Sequence, residues 1–171
     1  MKLSEFIKNN KESNLTYAIM NNYMIPDRNQ IKNIYQDISG QPEYEYKKID
    51  KYLLSKTETT SGRILLNEYN IPESLNSFLL ECLDAYPESI DTYRLYMLKG
   101  YASSGSPRHQ DPTDVVQWQC VGSSNWIIED ENGPHEIILN PGDVLWFKEF
   151  TWHEVLNSGI KYAVTFNLNT D

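Results

Sequence analysis

Residues 103–128, SSGSPRHQDPTDVVQWQCVGSSNWII, and residues 139–157, LNPGDVLWFKEFTWHEVLN, decide the fold of this chain. Both stretches alternate short runs of aromatic and β-branched residues with Gly, Pro, Ser and Asn. That pattern is typical of β-strands joined by tight turns. The first stretch carries His109-Gln110-Asp111, and the second carries a single histidine, His153, at the predicted start of a strand.

The strand pattern extends over the whole chain after residue 90. Asn132-Gly133 favours a tight hairpin, because both residue types tolerate positive φ. Closely spaced short strands predict a β-sandwich or barrel, so the fold class is mainly β. The predicted strands are 92–98, 114–121, 125–129, 136–139, 143–147 and 162–168.

The chain before residue 90 is mostly helical in pattern. We expect Ser4 to cap a first helix, Asp27 to open a second and Pro72 to stand in the first turn of a third, with short strands near 17–20 and 63–66. We predict one domain, 1–171, in which a helical segment (1–90) packs outside a barrel (91–171). The residues at helical spacing are Ile31, Ile34, Tyr35 and Ile38 in the second helix and Leu75, Phe78, Leu79, Cys82 and Leu83 in the third.

Composition narrows the class of partner. With 24 acidic and 15 basic residues the formal charge is −9, so a nucleic-acid partner is not expected. Cys82 and Cys120 lie in apolar contexts and are predicted to be buried free thiols. The sequence shows no signal-peptide core and no membrane span, which predicts a soluble cytoplasmic protein. It leaves a homodimer through the helical half open.

The histidines and one aspartate suggest a metal site. On an extended strand, residues i and i+2 point to the same face, so His109 and Asp111 would emerge side by side. With His153 they would form a 2-His-1-carboxylate set, which typically holds Fe(II) and leaves positions open for substrate and O₂. The alternative is that His153 is a hydrogen-bonded histidine at the barrel rim.

Here the sequence resembles known families. Residues 142–157 look like the second cupin motif, with departures at Lys148 and Phe150. Where the first cupin motif has its second His, this chain has Asp111, and Val115 or Val116 stands in the place of its Glu. The resemblance implies a double-stranded β-helix, the cupin or jelly-roll barrel, with the three-ligand site of 2-oxoglutarate oxygenases rather than four ligands.

Within those enzymes, residues 95–168 are most similar to the JmjC and ribosomal-oxygenase-like cupins. The resemblance implies a non-heme dioxygenase that uses Fe(II), O₂ and 2-oxoglutarate to hydroxylate a protein side chain or a small molecule. Two alternatives remain open. One is a cupin oxygenase or isomerase that does not use 2-oxoglutarate, and the other is a non-catalytic cupin that binds a ligand or partner.

The anchor for 2-oxoglutarate departs from the JmjC-like pattern. Those enzymes often place a Lys or Arg on the strand after His-x-Asp, and the matching residue here is Ser124. Residues 153–166 resemble instead the prolyl-hydroxylase segment, with Lys161 where its Arg would stand after a one-residue shortening. The resemblance therefore makes Lys161 the candidate anchor, with Tyr96 or Ser124 as supporting donors. The alternative is that Lys161 is a solvated lysine at a strand end.

Four further residues are weighed less heavily. His135 is expected at the surface, and Asp114 either orients a substrate or caps a turn. Trp152, beside a predicted ligand, is expected to line a pocket, whereas the other tryptophans belong to the barrel core. Arg108 either meets an anionic substrate or covers the rim.

Overall fold

The computed structural model describes residues 1–39, 62–67, 71–100, 105–156 and 161–168. Within these ranges the helices are α1 (Leu3–Lys11), α2 (Arg28–Ser39), α3 (Glu73–Ala85) and a 3₁₀ turn, Pro87–Ser89. The strands are β1 (Tyr17–Met20), β2 (Gly62–Leu65), β3 (Tyr93–Gly100), β4 (Ser106–His109), β5 (Val115–Val121), β6 (Ser124–Asp130), β7 (Gly133–Leu139), β8 (Val144–Phe147), β9 (His153–Leu156) and β10 (Lys161–Leu168).

The described strands form two antiparallel sheets. The major sheet has the order β1-β8-β5-β10-β3-β2, and the minor sheet has the order β4-β9-β6-β7. The chain crosses repeatedly from one sheet to the other, so neighbours in a sheet are mostly distant in sequence. This is the predicted mainly β fold, a double-stranded β-helix or jelly-roll barrel with helices on its outside.

The central strands of the major sheet, β5, β8 and β10, are buried on both faces. All seven residues of β5 are buried, because alternate side chains meet different layers. Val115 joins the cluster between the two sheets. Val116 and Trp118 join the larger cluster that the sheet forms with the helices. The expected helical layer on the outside of the barrel is therefore confirmed, while the single-domain assignment of residues 1–171 stays a prediction.

Local signals predicted two of the three helix starts. Asp27 accepts a hydrogen bond from the Gln30 amide at 2.8 Å, as an N-cap does, and Pro72 lies directly before α3. The expectation for Ser4 was wrong. The N-cap of α1 is Lys2, whose backbone amide donates a hydrogen bond of 3.3 Å to the Glu5 carboxylate. Ser4 lies inside the helix.

Two glycines set the turns of the barrel. The predicted β6–β7 hairpin is confirmed, but its turn lies one residue earlier than Asn132-Gly133. Asp130 pairs with Gly133, which has φ 110°, so the turn residues are 131 and 132. Gly142, with φ 97°, closes the turn before β8. This positive φ is a conformation that glycine adopts without steric cost, so the turn needs glycine for its backbone conformation.

The cysteine prediction is confirmed, since Cys82 and Cys120 are buried and unpaired by disulfides. Among the described residues no helix is long and apolar enough to cross a membrane.

The helical layer should contribute strongly to stability through Phe166. This ring is buried and stacks on Tyr86 and on Tyr93, both at 5.9 Å between ring centroids. We expect Phe166→Ala to lower the free energy of unfolding by about 3–5 kcal/mol, measured by urea titration. The exposed Ile138→Ala should change it by no more than about 0.5 kcal/mol. Equal effects of the two substitutions would contradict this packing.

Candidate metal centre

Strand pairing brings the three histidines of the chain into one row. His109, the last residue of β4, pairs with His153, the first residue of β9. His153 pairs in turn with Ile128 of β6, and Ile128 pairs with His135 of β7. Paired residues point to the same side of a sheet. Ile128 belongs to the cluster between the sheets, so the whole row faces the barrel interior.

His153 is the most enclosed of the three histidines. Its side chain is 3% exposed, and its ring contacts Phe147 of the major sheet at 4.6 Å and Trp126 at 5.9 Å between centroids. Burial lowers the pKa of His153, and the neighbouring His109 acts in the same direction, while the Thr151 carbonyl and Asp111 oppose it. The imidazole therefore favours the neutral form that a metal ligand needs.

Asp111 is not on a strand, contrary to the expectation from the His-x-Asp spacing. Strand β4 ends at His109, and Pro112 lacks the amide that a continuing ladder would use. Asp111 lies in the turn that follows, where its carbonyl accepts a hydrogen bond of 2.7 Å from the Phe150 amide. The β8–β9 connection thus fixes the turn that carries the carboxylate.

The three side chains nevertheless converge. One potential ligand atom from each of His109, Asp111 and His153 lies within 4.8 Å of the others. The His153 Nε2 atom is 3.4 Å from Asp111 Oδ2, and the two imidazole centroids are 4.2 Å apart. Ligand atoms bonded to one ion at about 2 Å can be up to about 4 Å apart. Small side-chain rotations therefore suffice for all three to share an ion.

Hydrogen bonds orient both imidazoles for this role. His109 Nδ1 lies 2.7 Å from the Pro107 carbonyl, and His153 Nδ1 lies 2.9 Å from the Thr151 carbonyl. Because a carbonyl only accepts, each Nδ1 must donate its proton, which leaves the Nε2 lone pair for a metal. Two such nitrogens and one carboxylate oxygen make the donor set that non-heme Fe(II) sites use. The residues present therefore fit a bound iron.

Lys161 begins β10 and faces the barrel interior. Its neighbours Tyr162, Val164 and Phe166 belong to the helix-side cluster, so the alternate positions point towards the minor sheet. The Lys161 stem passes directly over Gly100, where a methyl group would lie 2.4 Å from Cε. Its Nζ is 3.5 Å from the Leu156 carbonyl, and burial lowers its pKa. The side chain is half-buried, and its role as an anchor stays a prediction.

Tyr96 and Ser124 lie on different walls of the same interior. Tyr96 pairs with Thr165 of β10, so it shares the face of Lys161. Ser124 is buried on β6, where its hydroxyl donates to Gln119 Oε1 and accepts from Trp126 Nε1, both at 2.9 Å. Its single hydroxyl proton is therefore already used.

Three further residues lie at the rim of the barrel: Arg108, His135 and Trp152. Trp152 is 37% exposed and lies under Arg108, whose guanidinium is 3.8 Å from its ring centroid; that it lines a pocket stays a prediction. Arg108 also pairs with Glu129 at 2.6 Å, so it covers the rim. The side chain of His135 is 38% exposed, as expected for a surface histidine, and it pairs with Asp130 at 2.8 Å. Sequence spacing gave no signal for its place in the histidine row.

Comparisons with known proteins agree with this geometry. No family model matches the chain. Ribosomal oxygenase 2 of Mus musculus is 29% identical over 108 residues, which cover 53% of this chain and only 23% of that protein. The chain thus matches less than a quarter of that relative's length.

Solved structures show the same fold at low identity. A prolyl-4-hydroxylase of Pseudomonas putida superposes with a TM-score of 0.67 at 9% identity, over 98% of this chain and 99% of that one. The Escherichia coli ribosomal oxygenase YcfD gives 0.66 at 13% identity, over 100% of this chain and 52% of that one. YcfD in complex with cobalt and 2-oxoglutarate gives 0.63, over 95% and 51% of the respective chains at 13% identity. The resemblance drawn from the two motifs is confirmed.

If the three side chains hold a metal, removing one should abolish tight binding. We expect His109→Ala and Asp111→Ala to lose the single Fe(II) or Co(II) equivalent in anaerobic titration, while circular dichroism stays unchanged. His135→Ala is the matched control, since it removes the third histidine of the same row and should keep one equivalent bound. Loss of binding in the control alone, or unchanged binding in the two ligand variants, would contradict the assignment.

Proposed function

We propose that this chain is an Fe(II)- and 2-oxoglutarate-dependent oxygenase that hydroxylates a protein side chain or a small molecule. The observation that carries the proposal is the convergence of His109, Asp111 and His153 inside the barrel, with both imidazoles oriented by carbonyls. The similarity to a ribosomal oxygenase and the shared fold of a prolyl hydroxylase support it.

The chain's own residues supply geometry and a dry surrounding. Bound iron would supply the redox chemistry that activates O₂ with 2-oxoglutarate. His109, Asp111 and His153 would occupy one face of its coordination sphere and leave the opposite face open. Phe147 and Trp126 pack against His153 and keep water from that side of the site.

Lys161 is the proposed partner of the distal carboxylate of 2-oxoglutarate. Burial lowers the pKa of this ammonium because the charged form loses hydration. A carboxylate beside Nζ would offset that cost through a charge-assisted hydrogen bond. Gly100 leaves the space through which the lysine stem reaches the interior. Tyr96 shares this face and is the proposed supporting donor, whereas Ser124 forms part of the wall through Gln119.

One observation favours a second candidate, a cupin oxygenase or isomerase that does not use 2-oxoglutarate. Ser124 stands where the JmjC-like enzymes often have a cation, and its hydroxyl proton is donated to Gln119. If Lys161 does not bind the co-substrate, this candidate gains support.

The substrate and setting are also proposals. Because the matched relatives are named ribosomal oxygenases, a peptide or protein substrate is the first class to test. Buried free thiols in Cys82 and Cys120 support a reducing, cytoplasmic setting. A homodimer through the helical half stays a prediction.

Binding of 2-oxoglutarate to the metal tests the proposed reaction directly. We expect anaerobic addition of Fe(II) and 2-oxoglutarate to give a visible charge-transfer band, and oxygenation to convert 2-oxoglutarate into succinate. Asp111→Ala should give neither signal. Metal-loaded protein without the band, together with oxygen uptake independent of 2-oxoglutarate, would favour the second candidate instead.

The anchor is tested by two substitutions that act on the same lysine. Lys161→Ala should weaken 2-oxoglutarate binding about 10- to 100-fold, the worth of a hydrogen bond to a charged group. Gly100→Ala should also weaken it, because the new methyl group would displace the Lys161 stem while the charge remains. Both are read from titrations of the charge-transfer band.

The control is Lys8→Ala, which removes an exposed ammonium paired with Asp84. Its affinity for 2-oxoglutarate should equal that of the unmodified protein. Unchanged affinity in Lys161→Ala would remove this residue from the proposal without affecting the metal ligands.

A further inference from the structure

We infer that Asp114 is a positioning residue that clamps the two metal-binding turns together and ties them to the helical layer. The clamp deepens the proposed function, because it acts on the site that would hold the iron. Asp114 itself is not one of the three converging side chains.

The first part of the clamp joins the two turns. Asp111 lies in the turn after β4, and Glu149 and Phe150 lie in the connection that leads to His153. Asp114 Oδ1 accepts a hydrogen bond of 3.0 Å from the Glu149 amide. The next amide, that of Phe150, donates to the Asp111 carbonyl at 2.7 Å. Two successive amides of the β8–β9 connection therefore donate hydrogen bonds to the turn after β4.

Phe150 shows why such a clamp is needed. Its φ of 58° is in the left-handed region, which a side chain with a Cβ atom adopts unfavourably. Such a conformation persists only where neighbouring contacts hold it. The Gln110 amide group also donates to the Phe150 carbonyl, so both backbone polar groups of Phe150 are hydrogen-bonded. Without these bonds the connection would relax and move His153 relative to Asp111.

The second part of the clamp reaches into the helical layer. Asp114 Oδ2 accepts a hydrogen bond of 2.7 Å from the Tyr86 hydroxyl. That hydroxyl accepts in turn from Trp146 Nε1 of β8 at 2.9 Å. Tyr86 follows the last residue of α3 and is buried, and burial raises the pKa of its hydroxyl, with Asp114 acting in the same direction. It therefore stays protonated and donates to Asp114.

The chemistry of the clamp requires a carboxylate. Both partners of Asp114, the Glu149 amide and the Tyr86 hydroxyl, are donors, and a carboxylate accepts at both oxygens. An asparagine has one accepting oxygen, so its NH₂ group would face one of the two donors. Asp114→Asn thus breaks one side of the clamp with almost no change in volume.

The test compares metal binding and backbone protection in three variants. Asp114→Asn should weaken Co(II) binding about 10- to 100-fold, the usual effect of losing a group that orients metal ligands, and should change the visible spectrum of the bound cobalt. Tyr86→Phe should weaken binding less, since the Glu149 bond remains. The control, Asp84→Asn, loses an exposed ion pair with Lys8 and should bind and absorb as the unmodified protein does.

Amide hydrogen exchange without metal separates this inference from the proposed function. In Asp114→Asn the Glu149 and Phe150 amides should exchange faster, while those of β5 and β10 stay protected. Protein that binds no metal but shows this local change would overturn the function and keep the clamp. Unchanged exchange at Glu149 and Phe150 would overturn the clamp, and so would a cobalt spectrum and affinity equal to those of a control that binds cobalt.

Discussion

The antiparallel pairing of β4 with β9 is the contact on which the candidate site depends. It sets His109 directly opposite His153, at the point where each strand begins or ends. A shift of one residue in this register would turn one imidazole out of the barrel, because side chains alternate between the faces of a strand. The burial of Ile128 and the contact of His153 with Phe147 oppose such a shift. Packing in the core therefore keeps both imidazoles pointing into the barrel.

The helices matter to the site through the major sheet. The central strands β5 and β8 of that sheet are buried along their whole length, between the helices and the minor sheet. Phe147 faces the minor sheet and contacts His153, while Trp146, the preceding residue, faces the helices and bonds Tyr86. Adjacent residues of one strand thus connect the outer layer with the inner row. A helical segment that contributes none of the three converging side chains is thus connected to them through β8.

The sequence predicted the barrel and the triad because both depend on short-range signals. Turn residues separated the strands, and the residue types of His109, Asp111 and His153 indicated the three side chains that converge. What it could not predict depends on tertiary contacts. Asp111 leaves the strand because Pro112 stops the ladder and Phe150 bonds its carbonyl. His135 enters the row only through pairing across β6, which no spacing along the chain reveals.

A polar network around Ser124 explains why the candidate cation for the co-substrate lies on β10 rather than on β6. Trp126 donates to Ser124, and Ser124 donates to Gln119. Gln119 donates in turn to the Val121 and Gly122 carbonyls. The polar groups of this buried network are hydrogen-bonded to one another. A cationic side chain at position 124 would therefore lack space, and in the absence of 2-oxoglutarate it would also lack an anion to pair with. Lys161 approaches from the neighbouring strand β10, where Gly100 gives its stem room. A neutral wall on β6 and a cation on β10 are therefore consistent parts of one arrangement.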